Sequence, residues 1–224
     1  MPKKNVILCT APRCGSTWFL ETQVRQKHPE HMKNHGEGLK TLGWGYSPFP
    51  PTDSRRKAQF KQIMRDWNDT ELSNCVKVFP LMLTEPRSPW RKRDFFLKLL
   101  NNTDEVYYLL RRDFPAQVIS AAIGFYTAAI GQPNFHGNWE KPLYIPDNEQ
   151  TRMLVANCER RMYAQNFGLV QMWHNTETDV PTKLLFLEDI EQSGKYDRPV
   201  TWQRPPVIEP VDIEPLFQIE LDQA

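Results

Sequence analysis

The sequence predicts a three-layer α/β fold, with a central parallel sheet flanked by helices. Two observations carry this. Four short runs rich in apolar and β-forming residues recur along the chain, and each is too short to be a helix: Val6–Cys9, Cys75–Phe79, Glu105–Leu110 and Lys183–Leu187. Between them lie longer segments whose apolar residues recur near 3.6 positions. Strands alternating with helices argue a parallel sheet covered on both faces. In such sheets ligands bind at the carboxyl ends of the strands, so the loops after Cys9, Phe79, Leu110 and Leu187 are expected to face one site.

Each element has its own reason. Val6-Ile7-Leu8-Cys9 leads through the turn-prone Thr10–Thr17 into Trp18–Gln23, which reads as the start of a helix. His28–Gly45 has no clean periodicity and is expected to be loop with short helical turns. Asp53 or Ser54 is placed to cap a helix over 55–67, with Phe60, Ile63, Met64 and Trp67 on one face. Pro80 stops the second strand. A further helix is expected from Ser88 or Pro89 to Leu100, burying Phe95, Phe96, Leu99 and Leu100. Arg91, Lys92 and Arg93 fall in its first turns and read as a solvated surface. After the third strand, Pro115 suits the first turn of a helix reaching Ala129. Gly131–Asn148 is a long irregular insert, of the kind that is usually functional. Glu149–Asn175 is helical again, and Ile190–Ala224 is expected to be mostly coil.

The 224 residues suffice for one core, so a single domain is expected, with an irregular proline-rich tail over 191–224. A net charge of +1 argues against wholesale nucleic-acid binding. No stretch reaches the length of a membrane span, and the apolar run at the N-terminus is too short for a signal peptide. The four cysteines form no CxxC pair, which suits reduced thiols and a cytoplasmic location. Neither HExxH nor CxxC is present, and no acidic residue is clearly placed as a Walker B ligand to Mg²⁺, so no metal is expected.

The first strand, loop and helix make an anion site in outline. Amides of a helix N-terminus point into the loop, Gly15 permits close approach, and Arg13, Ser16 and Thr17 add donors. The loop fails the Walker A pattern of a P-loop, because Thr10 stands at its first glycine and Ser16 at its lysine.

Pro12–Trp18, PRCGSTW, resembles the 5′-phosphosulfate loop of the sulfotransferases, with Cys14 replacing the usual Ser or Thr. A second stretch, RDFPAQVIS from Arg112 to Ser120, looks like that family's 3′-phosphate motif, although its proline is displaced to Pro115. Arg111 registers one residue early, so Arg112 takes the role. Phe186–Ile190 is similar to the YEDL that ends a later strand in the family. The resemblance implies a P-loop-like fold and a donor, 3′-phosphoadenosine 5′-phosphosulfate (PAPS). It implies donor contacts from Arg13, Cys14, Gly15, Ser16, Thr17 and Trp18, and from Arg112 and Ser120. Arg204, in the tail, is a further candidate phosphate contact.

The catalytic base is less defined. Lys77 matches a family lysine, but Phe79 stands where many members carry the basic histidine. Another branch uses a glutamate soon after the first helix, and His35-Gly36-Glu37 makes Glu37 the candidate, with His35 the alternative. Arg13 and Lys77 would stabilise charge on the leaving 3′-phosphoadenosine 5′-phosphate (PAP). The acceptor is a small molecule, carbohydrate or peptide hydroxyl (or amine). Trp44, Tyr46, Phe49, Phe135, Trp139 and Tyr144 are candidates to line its pocket. Two rivals remain: a nucleotide kinase or NTPase with a degenerate P-loop, and a non-catalytic nucleotide-binding protein.

Overall fold

The structure, a computed structural model, describes residues 4–25, 32–35, 53–80, 92–129, 143–192 and 207–208. The chain divides into two compact units. One comprises Met1–Arg112 with Tyr163–Tyr196, the other Asp113–Met162 with Asp197–Ala224.

The first unit contains a five-stranded, wholly parallel sheet in a three-layer α/β arrangement, as expected. β1 (Asn5–Thr10) lies between β3 (Ser73–Val78) and β4 (Glu105–Leu110). β2 (Met32–Asn34) forms one edge beside β3, and β6 (Thr182–Phe186) the other beside β4. All six residues of β1 and of β3 are buried, as parallel strands covered on both faces require.

Register divides the side chains between two faces. Ile7 pairs with Val76 and Val106, and Cys9 with Val78 and Tyr108. These residues share one face and enter one core. Helices α2 (Asp53–Asn68), α3 (Lys92–Leu100) and the second half of α5 (Glu149–Asn175) supply its other wall. Ile63 and Trp67 come from α2, Phe96, Leu99 and Leu100 from α3, and Leu169 from α5. The Trp67 indole donates to the Leu99 carbonyl at 3.1 Å and ties α2 to α3. On the opposite face Leu8 pairs with Lys77 and Tyr107. There Phe19 of α1 (Ser16–Phe19) meets Tyr107 edge-on at 5.4 Å between ring centroids.

The amino ends of β1 and β3 are pinned by a buried amide pair. Asn5 Nδ2 donates to the carbonyls of Trp67 and Asn102, each at 2.8 Å. Asn74 Nδ2 donates to Asn5 Oδ1 at 3.0 Å and to the Asp66 carbonyl at 2.8 Å. Each amide thereby answers backbone groups left open where α2 and α3 end.

Three departures from the expected elements have physical causes. Met32–Asn34 is a strand although the sequence gives it no β-forming run. It pairs with Ser73–Cys75, and that neighbour, with burial of Met32, outweighs local preference. After Phe19 the helix widens into a π-helical turn over Leu20–Arg25, where Thr22 Oγ1 donates back to the Trp18 carbonyl at 2.8 Å. The fourth sequence-predicted strand stops at Phe186, because Leu187, buried, begins the short helix α6 (Leu187–Gln192) with Glu188 and Asp189 in its first turn.

In the second unit, Asp113 caps α4 (Phe114–Ala129). Its Oδ1 accepts from the Ala116 amide at 2.9 Å and its carbonyl from Gln117 at 3.0 Å. The Asn148 side chain likewise accepts from Thr151 at the start of α5, at 2.9 Å. β5 (Leu143–Tyr144) pairs in parallel with β7 (Val207–Ile208), which lies within the stretch read as tail. Among the described residues no helix is long and apolar enough to cross a membrane.

Gly168 of α5 offers a test of the first unit's packing. A Cβ there would stand 2.8 Å from the Pro80 Cβ, an atom on a rigid ring. Gly168→Ala should therefore destabilise the protein by about 1–3 kcal/mol, although alanine is ordinarily the better helix former. Urea unfolding measures this, and an unchanged or higher midpoint would show that the helix can move aside.

Candidate anion-binding site

β1, β3, β4 and β6 are neighbours and run the same way, so their carboxyl ends lie along one edge. The connection after β1 leads toward β2 and β3, whereas the chain after β4 goes on to β6 on the other side. The switch in direction therefore falls between β1 and β4, where open α/β sheets bind ligands. The two loops that part there begin at Ala11 and Arg111.

The first loop has the backbone an anion site needs. Gly15 is left-handed at φ 69° and ψ 17°, and Arg13 is left-handed at φ 66°. Glycine adopts that conformation freely, but an arginine gives up about 1–2 kcal/mol. Positive-φ residues turn successive amides toward one side and make a concavity for anions. The Gly15 carbonyl then accepts from Phe19 at 2.9 Å, which starts α1. Strain held in a loop at a switch point points to a functional role.

The side chains sort by sheet face. Lys77 shares the α1 face with Leu8, and its Nζ donates to Thr17 Oγ1 at 2.7 Å. Lys77 is buried, so an ammonium sits against the first turn of the helix that carries the loop. Thr10, paired with Leu109, is on the same face, and its hydroxyl donates to the Leu109 carbonyl at 3.1 Å. By the alternation of a strand, Arg111 emerges on this face and Arg112 on the other. Arg111 Nη1 donates to the Arg13 carbonyl at 3.5 Å, and its Nε stands 3.8 Å from Glu188 Oε1.

Arg112 is exposed. Its guanidinium binds both Asp189 oxygens and stacks 3.9 Å over the Phe186 ring. Its amide donates to Glu188 Oε2 at 3.1 Å. The hydrogen bond to Asp189 holds that carboxyl below its ordinary pKa.

The sequence-predicted residues thus divide. Arg13, Gly15, Thr17 and Lys77 come together at the loop. Cys14, Ser16 and Trp18 lie in the same stretch with their side chains buried. Burial pushes the Cys14 thiol up to about 12, against the pull of Arg111 nearby. Ser120 is buried on the second turn of α4, in the other unit from Arg112. Glu37 and Arg204 lie outside the described residues, as do Trp44, Tyr46, Phe49, Phe135 and Trp139. Tyr144 is on β5.

His35 sits elsewhere. Its amide donates to the Cys75 carbonyl at 2.9 Å, extending β2, and its ring lies near Trp67. Nε2 is 3.0 Å from Asn74 Oδ1 and 3.8 Å from Asp66 Oδ2. Because the Asn74 amide nitrogen already donates to its own partners, Nε2 must be the donor to Oδ1. Asn74 pairs with Asn5 at the amino ends of the strands, so the imidazole belongs to the edge opposite the loop.

Sequence reasoning passed over Arg111. The motif register selected Arg112, yet two consecutive arginines leaving a strand face opposite ways, and that alternation was readable.

No family model and no curated protein matches the chain. Among solved structures, the one titled "Crystal structure of APE1195" is 16% identical and aligns over 73% of this chain and 96% of that chain. Its TM-score of 0.35 is too low to support any inference.

The His35 environment makes a pH prediction. Burial lowers its pKa below the ordinary 6.5, against the opposing pull of Asn74 and Asp66. The unfolded chain then takes up the proton more readily than the folded one. The corresponding stability is complete well above 6.5 and is lost as pH falls through that value toward the folded pKa. Thermal midpoints between about pH 8 and 5 should decline in the wild type and decline less steeply in His35→Gln. Parallel curves would show that the ring contributes no linkage.

Proposed function

We propose that the protein is a PAPS-dependent sulfotransferase that moves a sulfuryl group to an acceptor hydroxyl or amine. The observation that carries this reading is the β1–α1 loop, left-handed at both Arg13 and Gly15, with the Lys77 ammonium on Thr17 beside it. By itself that arrangement suits any phosphate or sulfate group. The resemblance of PRCGSTW and RDFPAQVIS to the two phosphate-binding stretches of sulfotransferases narrows it to PAPS.

In this reading the loop amides and Arg13 hold the 5′-phosphosulfate, and Arg112 holds the 3′-phosphate. Arg112 would exchange the Asp189 carboxylate for that phosphate, and an exposed ion pair is weak enough to allow it. The acceptor oxygen attacks sulfur in line, the bond from sulfur to the bridging phosphate oxygen breaks, and PAP leaves. The acceptor proton passes to Glu37. Lys77 and Arg13 stabilise the charge that grows on the leaving phosphate. The His35 ring is engaged by Asn74 beside Asp66, so the scheme rests on Glu37.

One observation favours a second reading, a nucleotide-binding protein without transferase activity. Phe79 stands where the resemblance expects a basic histidine, and its ring is packed into the core. A phenyl ring cannot take the acceptor proton.

Calorimetry with PAP tests the donor site. Arg13→Ala and Arg112→Ala should each weaken binding at least about tenfold, as expected for loss of a charge-assisted hydrogen bond. Unchanged affinity in both would remove the assignment. Transfer of labelled sulfate to a panel of acceptors tests the chemistry. Glu37→Gln should abolish transfer and leave PAP affinity intact. PAP binding with no transfer by the wild type to any acceptor would favour the second reading. Binding of Mg²⁺–ATP in preference to PAP would point instead to a nucleotide kinase or NTPase.

A further inference from the structure

We propose that Arg111, braced by Glu188, is a positioning residue of the donor site: it holds the Arg13 peptide in its left-handed conformation and keeps the loop amides turned toward the anion. The inference extends the reading above, but its physical core concerns the loop alone.

Four observations carry it. Arg111 leaves β4 on the sheet face that also bears Thr10 and Lys77, directly beside the β1 loop. Its Nη1 donates to the carbonyl of Arg13, the one described residue other than glycine with a positive φ. Its side chain is only 14% exposed, so the guanidinium is enclosed beneath the loop rather than spread in solvent. Glu188, at the start of α6, bears on both arginines: Oε1 lies near Arg111 Nε, while Oε2 accepts the Arg112 amide. A fork-shaped cation fixed at one end by a carboxylate is suited to hold a strained carbonyl at the other. Arg112, on the opposite face, turns its guanidinium to Asp189 instead.

Cys14 provides the readout. It lies next to Arg13 in the loop and is fully buried, as are Cys9, Cys75 and Cys158 elsewhere in the fold. Its thiol is therefore slow to react until the loop opens. The full chain is treated with N-ethylmaleimide and each cysteine is followed by peptide mass spectrometry. In Arg111→Met, Cys14 should be labelled about tenfold faster while Cys9 and Cys75 keep their wild-type rates, the factor being that of one lost hydrogen bond to a charged group. Arg111→Lys should recover part of the protection, and Glu188→Gln should lose part of it. These milder variants supply the same comparison if Arg111→Met does not fold. An unchanged Cys14 rate, or all four cysteines rising together, would overturn the proposal. PAP calorimetry is a separate arm. Loosened labelling with weakened PAP binding supports the brace and the donor reading together. Loosened labelling in a protein whose wild type does not bind PAP upholds the brace and removes the donor reading.

Discussion

β1 is hydrogen-bonded along both edges and buried along its whole length, and that enclosure governs the rest. A strand so placed has no solvent-facing side, so every second side chain must satisfy one of two interiors. Ile7 and Cys9 go to the core built with α2, α3 and α5, while Leu8 and Thr10 go to the face covered by α1. The chain can leave this strand only at its carboxyl end, between neighbours on both sides. It does so through a tight turn with two left-handed residues, Arg13 and Gly15. The loop's left-handed geometry thus follows from the central position of the strand.

The two edges of the sheet are built differently. At the amino edge, polar groups are buried and closed upon one another. Asn5, Asn74, Asp66 and His35 share a network that also answers the ends of α2 and α3. Burial alone would raise the Asp66 pKa, but hydrogen bonds from Lys33 and Gln62 outweigh it and leave the carboxyl lowered. Such satisfied networks rigidify. At the carboxyl edge cations are drawn in, Lys77 being buried and Arg111 largely covered. Lys77 and Arg111 lie beneath the loop, and enclosing positive charge is costly without an opposing partner. Thr17, the Arg13 carbonyl and Glu188 face these cations and offset that cost. One edge therefore closes its polar groups upon one another, while the other gathers positive charge at the β1 loop.

Strand alternation also explains why adjacent arginines behave so differently. Arg111 and Arg112 are chemically identical, yet one is enclosed at the loop and the other stacks in the open over Phe186. The acidic pair Glu188–Asp189 meets both because β6 lies beside β4, with Phe186 opposite Leu110. The order of strands, rather than closeness in sequence, brings those four charges together.

Much of this was legible in the sequence. The apolar runs gave β1, β3 and β4 and most of β6, and the 3.6-residue spacing gave α2 and α5, because burial of one face writes its period into the chain, while Pro115 marked the start of α4. The turn-prone stretch with Gly15 marked the loop, since left-handed backbone favours glycine. Local sequence did not contain β2, which exists only because β3 lies beside it, nor the parallel pairing of β5 with β7. Nor could it show that the Cys14, Ser16 and Trp18 side chains turn inward, that Arg13 shares the left-handed conformation, or that Arg111 stands beneath the loop. Those depend on which strand lies next to which. Pairing between distant segments is settled by the packing of the whole sheet, whereas periodicity and turn chemistry are settled within a few residues.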